Sequence, residues 1–173
     1  MNTRALSIAA IFGALWGVIN SLVAPYIFRA TRLPIFCDIV GSVSLLAAMY
    51  VARRPSVGTL TGISATVVTL VLRPGAFYFL GFTLASMVLD SLASFAGYNK
   101  VFERRYAPVL VALCTVSMAV AGLVIGAVFM APCDIAFAAT WSGLHALGGF
   151  LGALVALPVL KGLEARLVAT QGT

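Results

Sequence analysis

From Ala5 to Ile27 the chain reads ALSIAAIFGALWGVINSLVAPYI, with no charged residue. A helix needs roughly 20 consecutive apolar residues to cross a bilayer, and this run supplies them. Five more apolar stretches follow, at about 37–52, 57–72, 76–98, 107–130 and 141–160. Gly and Pro punctuate the gaps, at Pro34, Pro55, Pro74-Gly75 and Pro108. The third stretch is short and rich in Thr, Ser and Gly, which suits a helix buried in a bundle or a partly irregular one. Across all 173 residues 62% are hydrophobic and only 9% charged, whereas soluble domains carry about a quarter charged residues. These patterns predict an all-α integral membrane protein: a compact bundle of six transmembrane helices forming one domain over residues 1–173. The first span is expected to remain in the protein, because other apolar spans follow it directly and no cleavage site is visible.

Basic residues set the expected orientation. With the N-terminus inside, Arg4, Arg53, Arg54, Lys100, Arg104, Arg105, Lys161 and Arg166 face the cytoplasm, and only Arg29, Arg32 and Arg73 face outwards. That asymmetry satisfies the positive-inside rule and places both termini in the cytoplasm, with the chain in the plasma membrane. The net charge of +6 is spread over these loops and ends. It is a topology signal, and no basic run with interleaved aromatics points to nucleic acid.

The first span carries two sets of residues. Ala5, Ala9, Gly13 and Gly17 recur every four positions, and Ala10 and Ala14 form a second pair. Small residues at this spacing make a groove into which another helix can settle, within the bundle or outside it. Trp16 and Asn20 share another face, and an amide in hydrocarbon requires a partner. Tyr78, Trp141 and His145 are expected at similar depth in spans four and six, with Arg73 just above. Trp16, Asn20, Arg73, Tyr78, Trp141 and His145 are therefore the candidate substrate-binding residues of a chamber open to the outside. Aromatic faces would stack on a flat ring and the polar groups would orient it. An interfacial aromatic belt explains Trp141 and Tyr78 equally well.

The acidic residues are few. Glu103 and Glu164 sit among basic residues. Asp38 and Asp134 fall at outer helix ends, where they could cap a helix, pair with Arg29, Arg32 or Arg73, or touch a ligand. Asp90 lies within span four, where a carboxylate marks a structural bond or a functional site. No HExxH, bis-His or P-loop pattern occurs, so the chain has no means of its own to hydrolyse ATP, and neither a cofactor nor a resident metal is expected. Ser142 and His145 lie on one helical turn and make a poor hydrolase pair. A disulfide between Cys37 and Cys133, or a metal site drawn from Cys37, Asp38, Cys133, Asp134 and His145, remains open. So does a second class of function, a small membrane enzyme or assembly factor built on Asp90 or His145.

Ala-x-x-x-Ala at Ala10 and Ala14, followed by ALWGVIN, then RLPIFCDI from Arg32 to Ile39 and GAFYFLGFTLASMVLDSL from Gly75 to Leu92, resemble the substrate-binding S components of energy-coupling factor (ECF) transporters. The resemblance extends over nearly the whole chain. It implies a non-enzymatic subunit that captures a vitamin or vitamin precursor from outside. Its implied partners are a transmembrane coupling protein and two cytoplasmic ATPase subunits, with Ala10 and Ala14 facing the coupling protein. It also implies that the loop from Phe28 to Phe36 covers the pocket, and that the subunit topples in the membrane to release its cargo. The full ligand signatures of thiamine- and biotin-binding members are absent.

Overall fold

The structure, a computed structural model, describes residues 2–131 and 134–171, with side chains through residue 166. Its main elements are α1 (Thr3–Leu22), α2 (Ala24–Thr31), α3 (Ile35–Ala52), α4 (Val57–Leu72), α5 (Leu80–Ala96), α6 (Ala107–Val124) and α7 (Ile135–Gln171). Three-residue 3-10 turns at Phe77–Phe79, Lys100–Phe102 and Arg104–Tyr106 link some of them, and α6 ends in a π-helical turn over Ile125–Phe129. Five of the helical segments are long and apolar enough to cross a membrane, whereas α4 has 16 residues.

The helices close into a ring in the order α1, α4, α5, α6, α7, α3. Glycines set its tightest contacts and also reveal helix direction. A Cβ on Gly13 would lie 2.5 Å from the Thr61 carbonyl oxygen, and one on Gly17 would lie 2.7 Å from that of Ala65. Residue numbers rise together along this seam, so α1 and α4 run parallel. The stripe Ala5, Ala9, Gly13, Gly17 is thus buried inside the bundle. Likewise Gly148 abuts Asp38 and Gly152 abuts Ser42, making α3 and α7 parallel. Gly122 and Gly126 seat α6 against His145 and Trp141 of α7 in the opposite sense. Trp16, fully buried, packs over Gly41 and against Phe79 and Phe82, with ring centroids 5.3 and 5.8 Å away. Close backbone approach of this kind is what packing and interhelical bonds need where no hydrophobic force drives helices together.

Several expected boundaries move. The first span ends at Leu22 rather than Ile27, because Pro25 lacks the N–H that would continue the helix. Pro25 instead opens α2, so the expected lid loop from residue 28 is helical as far as Thr31. The third span is a regular helix, and Val67 and Val71 on its outer side are exposed, so it is not enclosed by the bundle. The last span begins at Ile135, not 141, since Asp134 Oδ1 accepts from the Phe137 N–H at 2.6 Å and caps a run of good helix formers. It continues past 160 through Pro158 to Gln171. Cys133, and with it the Cys37–Cys133 disulfide or metal site, lies outside the described residues.

Candidate functional site

One end of the ring holds a cavity of about 220 Å³. The ends of α1, α4 and α6, the starts of α3 and α5, α2, and the N-terminal part of α7 all contribute to it. Five of the six sequence-nominated residues line it: Asn20, Arg73, Tyr78, Trp141 and His145. Trp16 does not. It is a layer deeper, behind Phe82, and supports the wall without reaching the cavity. Phe28 and Arg29, both on α2, also line the cavity.

An aromatic ladder forms one side. Phe28 meets Trp141 edge-on at 6.3 Å, Trp141 meets His145 at 5.9 Å, and His145 meets Phe82 at 5.5 Å. Trp141 and His145 stand one turn apart on α7, which is why both reach the same space. The Trp141 indole N–H also donates to the Met130 sulfur. At the rim, Arg73 Nη1 donates to the Tyr78 hydroxyl at 3.0 Å. That bond uses the phenol oxygen as acceptor and leaves its hydrogen free.

The floor is polar and deeply buried. His145 Nδ1 lies 2.6 Å from Asp38 Oδ1, with Asp38 wholly buried and His145 only 2% exposed. Asp38 therefore neither caps α3 through its side chain nor pairs with Arg29, Arg32 or Arg73. It crosses to α7, where Gly148 leaves room for a carboxylate that any Cβ would displace. The partners are 107 positions apart, and no local spacing in the sequence connects them. Beside them Asn20 is 4% exposed, and its carboxamide oxygen has no partner. An unpaired buried amide costs on the order of 1–3 kcal/mol, so a bound polar molecule would relieve it.

Asp90 belongs to the other end of the ring. Its Oδ2 accepts from the Thr59 N–H at 3.0 Å and the Thr59 hydroxyl at 2.9 Å, tying α5 to the first turn of α4. A carboxylate there satisfies orphan donors and complements the positive end of the helix dipole. Tyr98 stands nearby, and burial, reinforced by the Asp90 carboxylate, pushes its phenol well above the usual range. Next to it the Arg53 guanidinium covers the Tyr50 ring at 4.2 Å and donates to the Asn99 carbonyl. A wider groove of about 650 Å³ opens at this end, near Phe102 and Pro158. None of the buried, unpartnered polar side-chain atoms belongs to its lining.

Ala10 is exposed and Ala14 half-buried on the open side of α1, flanked by exposed Ile11, Leu15 and Val18. Among the described residues, no cluster of His, Cys, Asp and Glu is arranged to hold a metal ion. No protein-family model, curated protein or solved structure matches the chain.

Proposed function

We propose that this protein is the substrate-capture subunit of an ATP-driven ECF importer, binding a vitamin or vitamin precursor from outside the cell. The observation that carries the reading is the cavity at one end of the bundle. It combines an aromatic wall, two guanidinium groups and one buried carboxamide oxygen, that of Asn20, which lacks a partner. Its volume is below the roughly 300–1,000 Å³ typical of drug-sized pockets, in keeping with a small, flat cargo. The sequence resemblance to S components supports the same conclusion.

In this reading the chain spans the plasma membrane six times with both termini cytoplasmic, and the cavity opens outwards. The α2 helix acts as the cover. Ala10 and Ala14 receive a helix of the transmembrane coupling protein, and two ATPase subunits on the cytoplasmic side supply the energy that this chain has no motif to provide. Subunit toppling then carries the occupied cavity inwards.

Mass spectrometry of small molecules that co-purify with the detergent-solubilised protein tests capture. One stoichiometric compound, lost when Trp141 is replaced by Ala, is the expected result. A preparation that never holds or binds a small molecule contradicts it. Replacing Ala10 and Ala14 together with Trp should block co-purification with a coupling protein while the compound is retained. Undiminished assembly would exclude that face as the docking site.

A further inference from the structure

The charge and hydrogen-bonding sense of the cavity restrict what it can hold. Arg29 and Arg73 line it, Arg29 exposed and Arg73 half-exposed, and neither has a carboxylate partner among the described residues. Tyr78 accepts from Arg73 and so has its own hydrogen to offer. The one carboxylate close by, Asp38, is sealed behind His145 with no exposure.

His145 adds to this donor set. A carboxyl and an imidazole buried this deeply cost least when the pair has no net charge. Two proton arrangements meet that condition: imidazolium beside carboxylate, or neutral imidazole beside carboxylic acid. Because Nδ1 faces Asp38, both leave a hydrogen on Nε2. Among the described residues Nε2 has no partner, and it is not one of the buried unpartnered atoms. It therefore opens towards the cavity that His145 lines. Two guanidinium groups, a phenol hydrogen and an imidazole N–H present donors next to the flat faces of Trp141 and Phe82, against one unpartnered acceptor, the Asn20 carboxamide oxygen.

We infer that the cargo is a small aromatic or heteroaromatic carboxylate. Its anionic group would be held at the rim by Arg29 and Arg73, where a guanidinium fork matches a carboxylate. Its ring would lie along the Trp141 ladder, and an acceptor atom would meet His145 Nε2. This rests on reading the cavity as a capture site, and it excludes ammonium compounds as the class of cargo; the unpartnered Asn20 carboxamide oxygen would accept from any hydroxyl or N–H that the same molecule carries.

An isosteric series tests the inference: pyridine-3-carboxylate, pyridine-3-carboxamide and 3-(aminomethyl)pyridine, with inorganic phosphate as a fourth probe. Binding to the purified full-length protein is followed by calorimetry and by the shift in thermal unfolding. The carboxylate should bind at least about tenfold more tightly than the amide, the scale of one charge-assisted bond, and the amine should not bind. Arg73→Gln and Arg29→Gln should bring the acid-to-amide ratio close to one. Arg73→Lys, which keeps charge but not the fork, should fall between. Unfolding of each variant without probe identifies any that misfold, and in that case Arg73→Lys and Arg29→Gln decide. Equal binding of acid and amide, a preference for the amine, or a preference that survives both Arg→Gln changes would overturn the inference. So would phosphate binding as tightly as the carboxylate, which would make the rim a phosphate site. A neutral or cationic co-purified compound would refute the carboxylate and leave the capture reading standing. Failure of every probe, with nothing co-purified, would remove both.

Discussion

At the scale of residues, Asp38 and His145 form the most consequential contact. Each is too deeply buried to turn to water, so removing one strands the other. Stranding one member of a buried hydrogen-bonded pair costs about 1–3 kcal/mol when the pair is neutral and about 3–5 kcal/mol when it is ionised. Asp38→Ala and His145→Ala should each lower unfolding stability in detergent by an amount on that scale. The double replacement should cost less than the sum, because the two groups are coupled. Strict additivity in a denaturant or thermal series would mean that the two side chains do not act as a pair. Asp90 is a second case. Asp90→Ala leaves the Thr59 N–H and hydroxyl without their acceptor, for about 1–3 kcal/mol, and Asp90→Asn should recover part of the loss. Probe binding at the far cavity should survive in the refolded or cooled Asp90→Ala protein; its loss would place Asp90 in the binding function. The individual importance of Asp90 and His145 was legible in the sequence, since polar groups in apolar runs stand out. Their partners were not. Asp38 meets His145 only because Gly148 brings α7 against α3, and that contact depends on the closed ring.

At the scale of elements, α1 carries two small-residue faces with opposite tasks. The Ala5, Ala9, Gly13, Gly17 face is filled by α4, and the Ala10, Ala14 face is left open. Gly17→Leu forces a side chain into the backbone of Ala65 and the side chain of Val68. Overpacking of this kind typically costs about 1–3 kcal/mol, and more where backbone must move. Ala10→Leu, at the exposed position of the open side, should leave thermal stability within about 0.5 kcal/mol of the parent, as exposed substitutions usually do. Similar losses from both would show that the open face is also packed. Spacing alone identified both faces, because a four-residue repeat of small side chains depends only on helical geometry. It could not say which face α4 would occupy. The helix ends were harder to read for a local reason. Pro25 splits α1 from α2, and Asp134 starts α7 early, in stretches whose hydropathy differs little from the helices beside them.

At the scale of the whole molecule, α4 decides the topology. At 16 residues it is about 24 Å long by its rise per residue, short of the roughly 30 Å hydrocarbon core. Nevertheless it runs parallel to α1 along the Gly13 and Gly17 seam and antiparallel to α5, to judge from the Thr59–Asp90 and Thr66–Thr83 contacts. A helix aligned with two long apolar neighbours occupies the same slab, and Arg53-Arg54 before it and Arg73 after it can reach the two interfaces. The alternation then carries Ala30 and Pro74 to the side where the cavity opens and Ser56 to the other. Single cysteines at positions 30, 56 and 74, in a background lacking Cys37, Cys114 and Cys133, separate the possibilities. A membrane-impermeant maleimide applied to intact cells should label positions 30 and 74, and position 56 only after permeabilisation. If positions 56 and 74 instead label from the same side, α4 does not cross. The termini would then lie on opposite sides, because an odd number of crossings would remain. In that arrangement the C-terminal end of α1 and the N-terminal end of α5, which meet at the cavity, would fall on opposite sides of the membrane and could not reach one aqueous phase. The labelling pattern therefore tests whether the six helices form a single cup open to the outside, on which cargo capture depends.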